Sequence, residues 1–276
     1  RDVGAAGSAR RTVSESVCPI CETAQQVHAI DGKVWATCVS CQALLFVPTG
    51  GPRVLVGHAS DNLCQYVGAV LVEAGFSPLR APDGEVALRL LSSHRPAAAV
   101  LDVGLTGVLA FEVIDYVRRE LADVGTKVVL LASVYSRTAY KRNPTSLYGA
   151  DDYVEQHHIP DKLPTKLCEL LDIDASGVAA LAAGRFSANV EPSDRTDVWG
   201  RDRVWALAHS IVSDIALYYQ QEFEQAANNG GLAGIAAPLD EGRMLLAKMA
   251  DRSEYPSDDP IADAFELFVG KMRRDA

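Results

Sequence analysis

Pro96-Ala97-Ala98-Ala99-Val100-Leu101-Asp102 is a short apolar run that ends on a carboxylate. A strand with one wet face alternates apolar and polar residues, so an unbroken run of this length reads as a strand buried on both faces. Working outward from it, the same pattern recurs on both sides. Upstream lie Val54-Leu55-Val56 and a short strand from Ser77 to Leu79; downstream lie Val128-Val129-Leu130-Leu131 and Tyr153-Val154. Between them run helical periods carrying Leu63, Val67 and Leu71, then Val86, Leu90 and Leu91, then Phe111, Ile114 and Val117. A last period carries Leu163, Leu167 and Leu170. Strands alternating with helices predict a doubly wound, five-stranded parallel α/β sheet with helices on both faces. Such sheets bind ligands at the carboxyl ends of their strands, which is where Asp102 falls.

The stretch 174–199 is rich in Ala, Gly, Ser and Asp and reads as a linker; 200–276 reads as an all-α domain. Arg203 to Ala227 repeats apolar residues at helical spacing and is stopped by Asn228-Asn229-Gly230-Gly231. A second helix is expected near Asp240 to Met249, and a third with Asp259 as N-cap and Pro260 at its first position. The stripe from Val204 to Phe223, with Trp205, Tyr218 and Tyr219, is broad enough to cover a partner helix or a second copy of the chain. Packing of the three helices on one another is the other reading.

At the opposite end, Cys18-Pro19-Ile20-Cys21 and Cys38-Val39-Ser40-Cys41 form two Cys-x2-Cys pairs. Two such pairs supply the four soft ligands that tetrahedral Zn²⁺ prefers, at ribbon-like spacing, and four protein ligands make the site structural. A disulfide pair is the alternative. Val27, Val34 and Trp35 around Asp31-Gly32 read as a hairpin between the pairs. The expected divisions are a flexible arm at 1–16, a zinc ribbon at 17–48, and a joint at Pro48-Thr49-Gly50-Gly51-Pro52 that separates the ribbon core from the domain beginning at 53. Cys64 and Cys168 sit in apolar helical patterns and read as buried core thiols, which predicts a reducing, cytoplasmic compartment. His28 lies between the pairs, but four cysteines already fill a zinc shell.

Composition narrows the function classes. The chain has 276 residues, 26 Lys plus Arg against 36 Asp plus Glu, and a formal charge of −10. That balance argues against a sequence-independent nucleic-acid binder, and Arg10, Arg11 and Lys33 near the ribbon are offset by acids. No apolar run approaches the roughly 18 residues of a membrane span, and the first residues lack the apolar core of a signal peptide. The start also lacks an initiator Met, which reads as a trimmed terminus. No Walker loop, nucleophile elbow or His-Glu-x-x-His is present, so an enzyme is not expected.

Residues 53–173 resemble the receiver domain of bacterial two-component response regulators. Asp102 with Leu105-Thr106-Gly107 looks like the phospho-acceptor strand and its following turn, with Thr106 where Pro is usual. Gly149-Ala150-Asp151-Asp152-Tyr153 looks like the entry to the fifth strand. The resemblance implies a flavodoxin-like sheet and a phosphoryl pocket built from an acidic pair that holds Mg²⁺, a Thr or Ser, and a Lys. On these residues His58 and Ala59 fall at the acidic-pair positions, Ala132 at the Thr/Ser position with Ser133 adjacent, and Gln156 at the Lys position. Tyr153 falls at the switch aromatic. Asp61 lies inside the first helical turn and reads as a cap or a solvated charge. The pocket is thus degenerate, a pseudo-receiver for which Mg²⁺ is not expected.

A narrower resemblance, carried by Arg142 through Tyr153, by His157-His158-Ile159-Pro160 and by Val212 through Tyr218, is to a bacterial zinc-ribbon response-regulator subfamily. It implies that ribbon, receiver and helices work as one unit; Pro144 should interrupt the fourth helix. His157 and His158 admit two readings. They bind a metal or sense pH near Asp102, or, on an extended segment, one packs and one is solvated. The leading expectation is a non-catalytic signalling or scaffolding adaptor acting through protein partners, with a homodimer through the helical domain as one form. The alternatives are a phosphorylation-dependent regulator using Asp102, and a nucleic-acid binder using the ribbon.

Overall fold

The computed structural model describes residues 12–29, 34–122, 125–133, 144, 147–174, 201–229 and 234–275. The parallel sheet is as the sequence predicts. Strands β5 (Arg53–Gly57), β6 (Ser77–Ala81), β7 (Ala98–Asp102), β8 (Lys127–Ala132) and β9 (Asp152–Glu155) pair in the order β6-β5-β7-β8-β9, every ladder parallel. Helices α1 (Asp61–Glu73), α2 (Gly84–His94), α3 (Ala110–Glu120) and α4 (Ile159–Leu170) connect or follow them. Alternate strand residues face opposite ways. Val54, Val56, Val100 and Val129 join α1 and α4 residues in one core; Leu55, Ala99, Leu101 and Leu130 join α2 and α3 residues in the other. Ser60 caps α1 by accepting from the Leu63 amide at 3.3 Å, and Asp83 caps α2 by accepting from Val86 at 2.8 Å. Asp151, in the Gly149–Tyr153 segment, accepts from Arg118 at 2.6 Å and from the Val128 amide at 2.7 Å, which locks the approach to β9.

The ribbon differs from its expectation in three ways. Strand β1 (Thr12–Val17) occupies residues expected to be a flexible arm, paired antiparallel with β2 (Ala24–Ala29). The second hairpin is β3 (Trp35–Thr37) with β4 (Leu44–Phe46). Each hairpin therefore wraps around a cysteine pair; among the described residues no ladder joins β2 to β3 between the pairs. The cause is local: the Cys18 amide donates to Thr23 O at 2.9 Å and the Cys38 amide to Ala43 O at 2.8 Å, so each knuckle turns its strand back on itself. Residues 30–33, the expected Asp31-Gly32 turn, lie outside the described residues.

Thirdly, the joint at 48–52 does not separate the cores. Phe46, on β4, lies against α1 so closely that a Cβ on Gly68 would stand 2.1 Å from its ring. Val34, Leu44 and Phe46 belong to the same core as Val67, Leu71 and Phe76. The joint is itself tied down, with Thr49 Oγ1 donating to Gly75 O at 2.7 Å.

The C-terminal region is helical as expected, with the long first helix broken at Tyr219. Its elements are α5 (Arg201–Tyr218), α6 (Gln220–Asn229), α7 (Ala236–Met249) and α8 (Pro260–Asp275), whose N-terminus Asp259 caps by accepting from Ala262 at 3.1 Å. The apolar stripe of α5 is covered within the chain. Val204, Leu207, Ile211 and Ile215 pack with α7 and α8, while Leu217 and Tyr218 enter the core on the α2 and α3 side of the sheet. The expected linker at 174–199, apart from its first residue, and the fourth helix that Pro144 is expected to interrupt lie outside the described residues.

Candidate functional site

Asp102 ends β7 at the mouth of the sheet and is only 4% exposed. His58, just past the end of β5, accepts the Ser60 amide at Nδ1 (2.8 Å), which leaves its Nε2–H to face Asp102 Oδ2 at 3.3 Å. Asp102 Oδ1 is buried with no hydrogen-bond partner. The other positions that the resemblance singles out lie just past β5, at the end of β8 and just past β9. Gln156 Nε2 donates to Ser133 Oγ at 3.1 Å, Ala132 is fully buried, and Ala59 is exposed. Among the described residues no second carboxylate pairs with Asp102 there, and Asp61 turns outward to pair with Arg80. Cys64 donates to the His58 carbonyl at 3.4 Å, and burial pushes its thiol up to about 12, so it is an inert core thiol.

The mouth is closed by residues that sequence reasoning did not find. Helix α5 crosses it so closely that a Cβ on Gly104 would stand 2.9 Å from Ser210 Oγ and 3.4 Å from Asp102 Oδ2. His209, 3% exposed, hydrogen-bonds the Gly104 backbone and feels the Asp102 charge. Burial pulls its pKa below the ordinary value, partly opposed by Asp102, and its Nδ1 has no partner. Tyr148 donates to the Ala216 carbonyl at 2.9 Å, and Tyr218 donates to Glu155 Oε1 at 3.3 Å. Tyr153, the switch aromatic position, meets Tyr218 edge-on with centroids 6.5 Å apart. Nothing in the sequence marks a lone His inside an apolar helical stripe as belonging to a distant carboxylate.

His157 and His158 lie on a 3-10 turn, Gln156–His158, that follows β9 directly. The reading of an extended segment, with its rings on opposite sides, is therefore corrected. The turn sets the rings side by side with centroids 4.0 Å apart, and His157 Nε2 lies 3.3 Å from Glu155 Oε2.

At the other end, Cys18, Cys21, Cys38 and Cys41 converge, and all four are free thiols. Sγ of Cys18 is 3.6 Å from that of Cys41, and Sγ of Cys21 is 3.6 Å from that of Cys38. Disulfide sulfurs lie about 2.05 Å apart. A tetrahedral ion bonded at about 2.3 Å sets its sulfurs about 3.8 Å apart, so the cluster fits a metal. The residues after each pair, Glu22 and Gln42, take matching left-handed φ of 59° and 63°, so the two knuckles share one geometry. The four thiols are not equivalent: burial pushes Cys18 up to about 12, while the Thr23 hydroxyl and amide lower Cys21 to about 6.

No protein-family model matches the chain. Among curated proteins it is 23% identical over 198 residues to an NtrX-like response regulator of Rickettsia bellii, covering 71% of the chain and 37% of that protein. It is 31% identical over 126 residues to the transcriptional regulatory protein TctD of Salmonella typhimurium, covering 46% of the chain and 54% of that protein. The chain thus spans about half or less of the length of these relatives. Among solved structures, the receiver domain of Francisella response regulator 1452 is 22% identical, covering 44% of the chain and 98% of that domain at a TM-score of 0.37. Chemotaxis protein CheY4 of Vibrio cholerae is 24% identical, covering 43% of the chain and 98% of that protein, also at 0.37. The five-stranded parallel sheet around Asp102 has the strand order of a flavodoxin-like doubly wound fold, and response regulators are what the chain is similar to.

Proposed function

We propose that this protein is a non-catalytic signalling adaptor in which a degenerate receiver and the helices after it form one protein-binding unit. One observation carries the reading: Asp102 is buried beneath α5 with His58 on one oxygen, while Ala132 stands where the resemblance expects a hydroxyl and Gln156, bonded to Ser133, where it expects a cation. Phosphoryl transfer to a carboxylate brings like charges together, and without a metal or a Lys that repulsion is uncompensated. The divisions at 17–48, 53–173 and 200–276 are retained as units of sequence, with β1 added to the first. The four cysteines support a structural Zn²⁺, one per chain, and the six free thiols support a cytoplasmic setting. Among the described residues no helix is long and apolar enough to cross a membrane.

Treatment with acetyl phosphate and Mg²⁺, followed by intact mass, tests the reading. The expected result is no added phosphoryl group. A Mg²⁺-dependent gain that disappears in Asp102→Asn overturns it and promotes the second reading, a phosphorylation-dependent regulator. That reading is favoured by the unpartnered Asp102 Oδ1, an acceptor with nothing yet bound to it.

A further inference from the structure

We infer that Glu155, His157 and His158 form a second metal site, distinct from the cysteine cluster, that takes a divalent transition ion and is positioned by the C-terminal helices. One ligand atom from each residue lies within 4.8 Å of the other two. An ion bonded at about 2.1 Å sets tetrahedral donors about 3.4 Å apart. His157 Nε2 and Glu155 Oε2 already stand 3.3 Å apart, so they need no rearrangement. The 3-10 turn is what makes this possible, since it brings consecutive rings to one side of the chain end instead of splaying them.

The two carboxylate oxygens have separate tasks. Oε1 accepts the Tyr218 hydroxyl from α5, and Oε2 is left facing His157. A hydrogen bond of this kind, from a residue that is not itself a ligand, orients a metal-binding carboxylate and is worth 10- to 100-fold in affinity. Tyr218 belongs to the helix that closes the Asp102 mouth, so an ion here reinforces that closure. Two imidazoles and one carboxylate suit Zn²⁺, Co²⁺, Ni²⁺ or Cu²⁺; they do not suit Mg²⁺ or Ca²⁺, which require oxygen. The His157 side chain is 49% exposed, so the remaining coordination positions face water. Three protein ligands with open positions make an exchangeable site, unlike the closed cysteine cluster.

The test uses full-length protein whose cysteine cluster is loaded with Zn²⁺, titrated with Co²⁺. Cobalt binds thiolates less tightly than zinc and leaves that cluster intact, and its visible spectrum reports nitrogen and oxygen donors. We expect one further equivalent per chain with no sulfur charge-transfer band. His157→Ala/His158→Ala should abolish it without changing the zinc content, and His157→Ala alone, at a half-exposed position, should weaken it at least tenfold. Tyr218→Phe should weaken Co²⁺ about tenfold. No further equivalent in the native protein, or undiminished uptake by the double variant, overturns the site. Undiminished affinity in Tyr218→Phe overturns its coupling to the helices.

Discussion

Replacing Phe46 with Ala tests whether ribbon and receiver share one core. The ring is 6% exposed and lies flat against the α1 backbone at Gly68, where a side chain would collide with Cε1 at 2.1 Å and Cζ at 2.2 Å. Truncation to Ala exposes or empties roughly 150 Å² of apolar contact, about 4 kcal/mol at ~25 cal/mol per Å². Measured Phe→Ala costs in cores fall in the same range of about 3–5 kcal/mol. For a cooperative unit of this size, 1 kcal/mol moves the midpoint by about 2–4 °C, so the thermal transition should fall by roughly 10 °C. Gly68→Ala supplies the control. In the native background the new methyl overpacks the ring at about 1–3 kcal/mol, set against roughly 1 kcal/mol of helix propensity gained, and the net is destabilising. In Phe46→Ala the ring is gone and only the gain remains, so the same substitution should stabilise. A urea double-mutant cycle, followed by a signal from the parallel sheet, reads this sign reversal. If Phe46→Ala leaves the sheet transition where it was, or Gly68→Ala has one sign in both backgrounds, the shared core is refuted.

Chelation of the cysteine-cluster metal should lower the transition of the sheet as well as that of the ribbon, because β4 feeds both; calorimetry with and without chelator decides, and an unmoved sheet transition refutes it. Gly104→Ala should loosen α5, since its methyl stands 2.9 Å from Ser210 Oγ; about 1–3 kcal/mol of overpacking should appear as faster amide exchange confined to α5 and the mouth. Acidification should loosen the same helix. The His209 pKa in the fold lies below 6.5, so below pH 6.5 the unfolded or undocked state binds a proton that the docked state refuses. Its contribution is therefore intact above pH 6.5 and lost as pH falls, and His209→Gln should flatten the α5 exchange profile between pH 7.5 and 5.5.

Legibility in the sequence followed burial. Strands β5, β7 and β8 were readable because both of their faces are covered, which forces unbroken apolar runs. Strand β1, Thr-Val-Ser-Glu-Ser-Val, was read as a flexible arm because a metal-clustered hairpin needs little apolar surface, and nothing in its composition demands a core. The cysteine pairs were readable as chemistry, while their strand pairing was not: the knuckles return each strand on itself, and spacing alone fits either ladder. The pocket positions are legible only through the resemblance to receivers; in the fold His58 faces Asp102, and Gln156 bonds Ser133. The lid is not legible. His209, Ser210 and Tyr218 lie more than a hundred residues from Asp102 and share the apolar stripe of α5, so periodicity assigns them to a helical core without saying which surface that core covers.

That lid changes what a degenerate pocket means. Gly104, next to the Asp102 carboxylate, lies against Ser210 of α5, and Asp102 itself is buried. A phosphoryl group at Asp102 is therefore expected to compete with the docking of α5. If the undocked state is 1% of the population, a docking preference of about 2.7 kcal/mol, an otherwise intact pocket would react a hundredfold more slowly. On the proposed reading, an acidic pair and a Lys would add little in a site already closed to that degree. The cost that remains is local, since a buried carboxylate oxygen without a partner destabilises by about 1–3 kcal/mol, and it is offset by the packing of Ile211, Val212, Leu217 and Tyr218 along the same helix. Replacing Asp102 by a neutral residue should therefore strengthen docking, while a ligand that reaches Oδ1 must first displace α5.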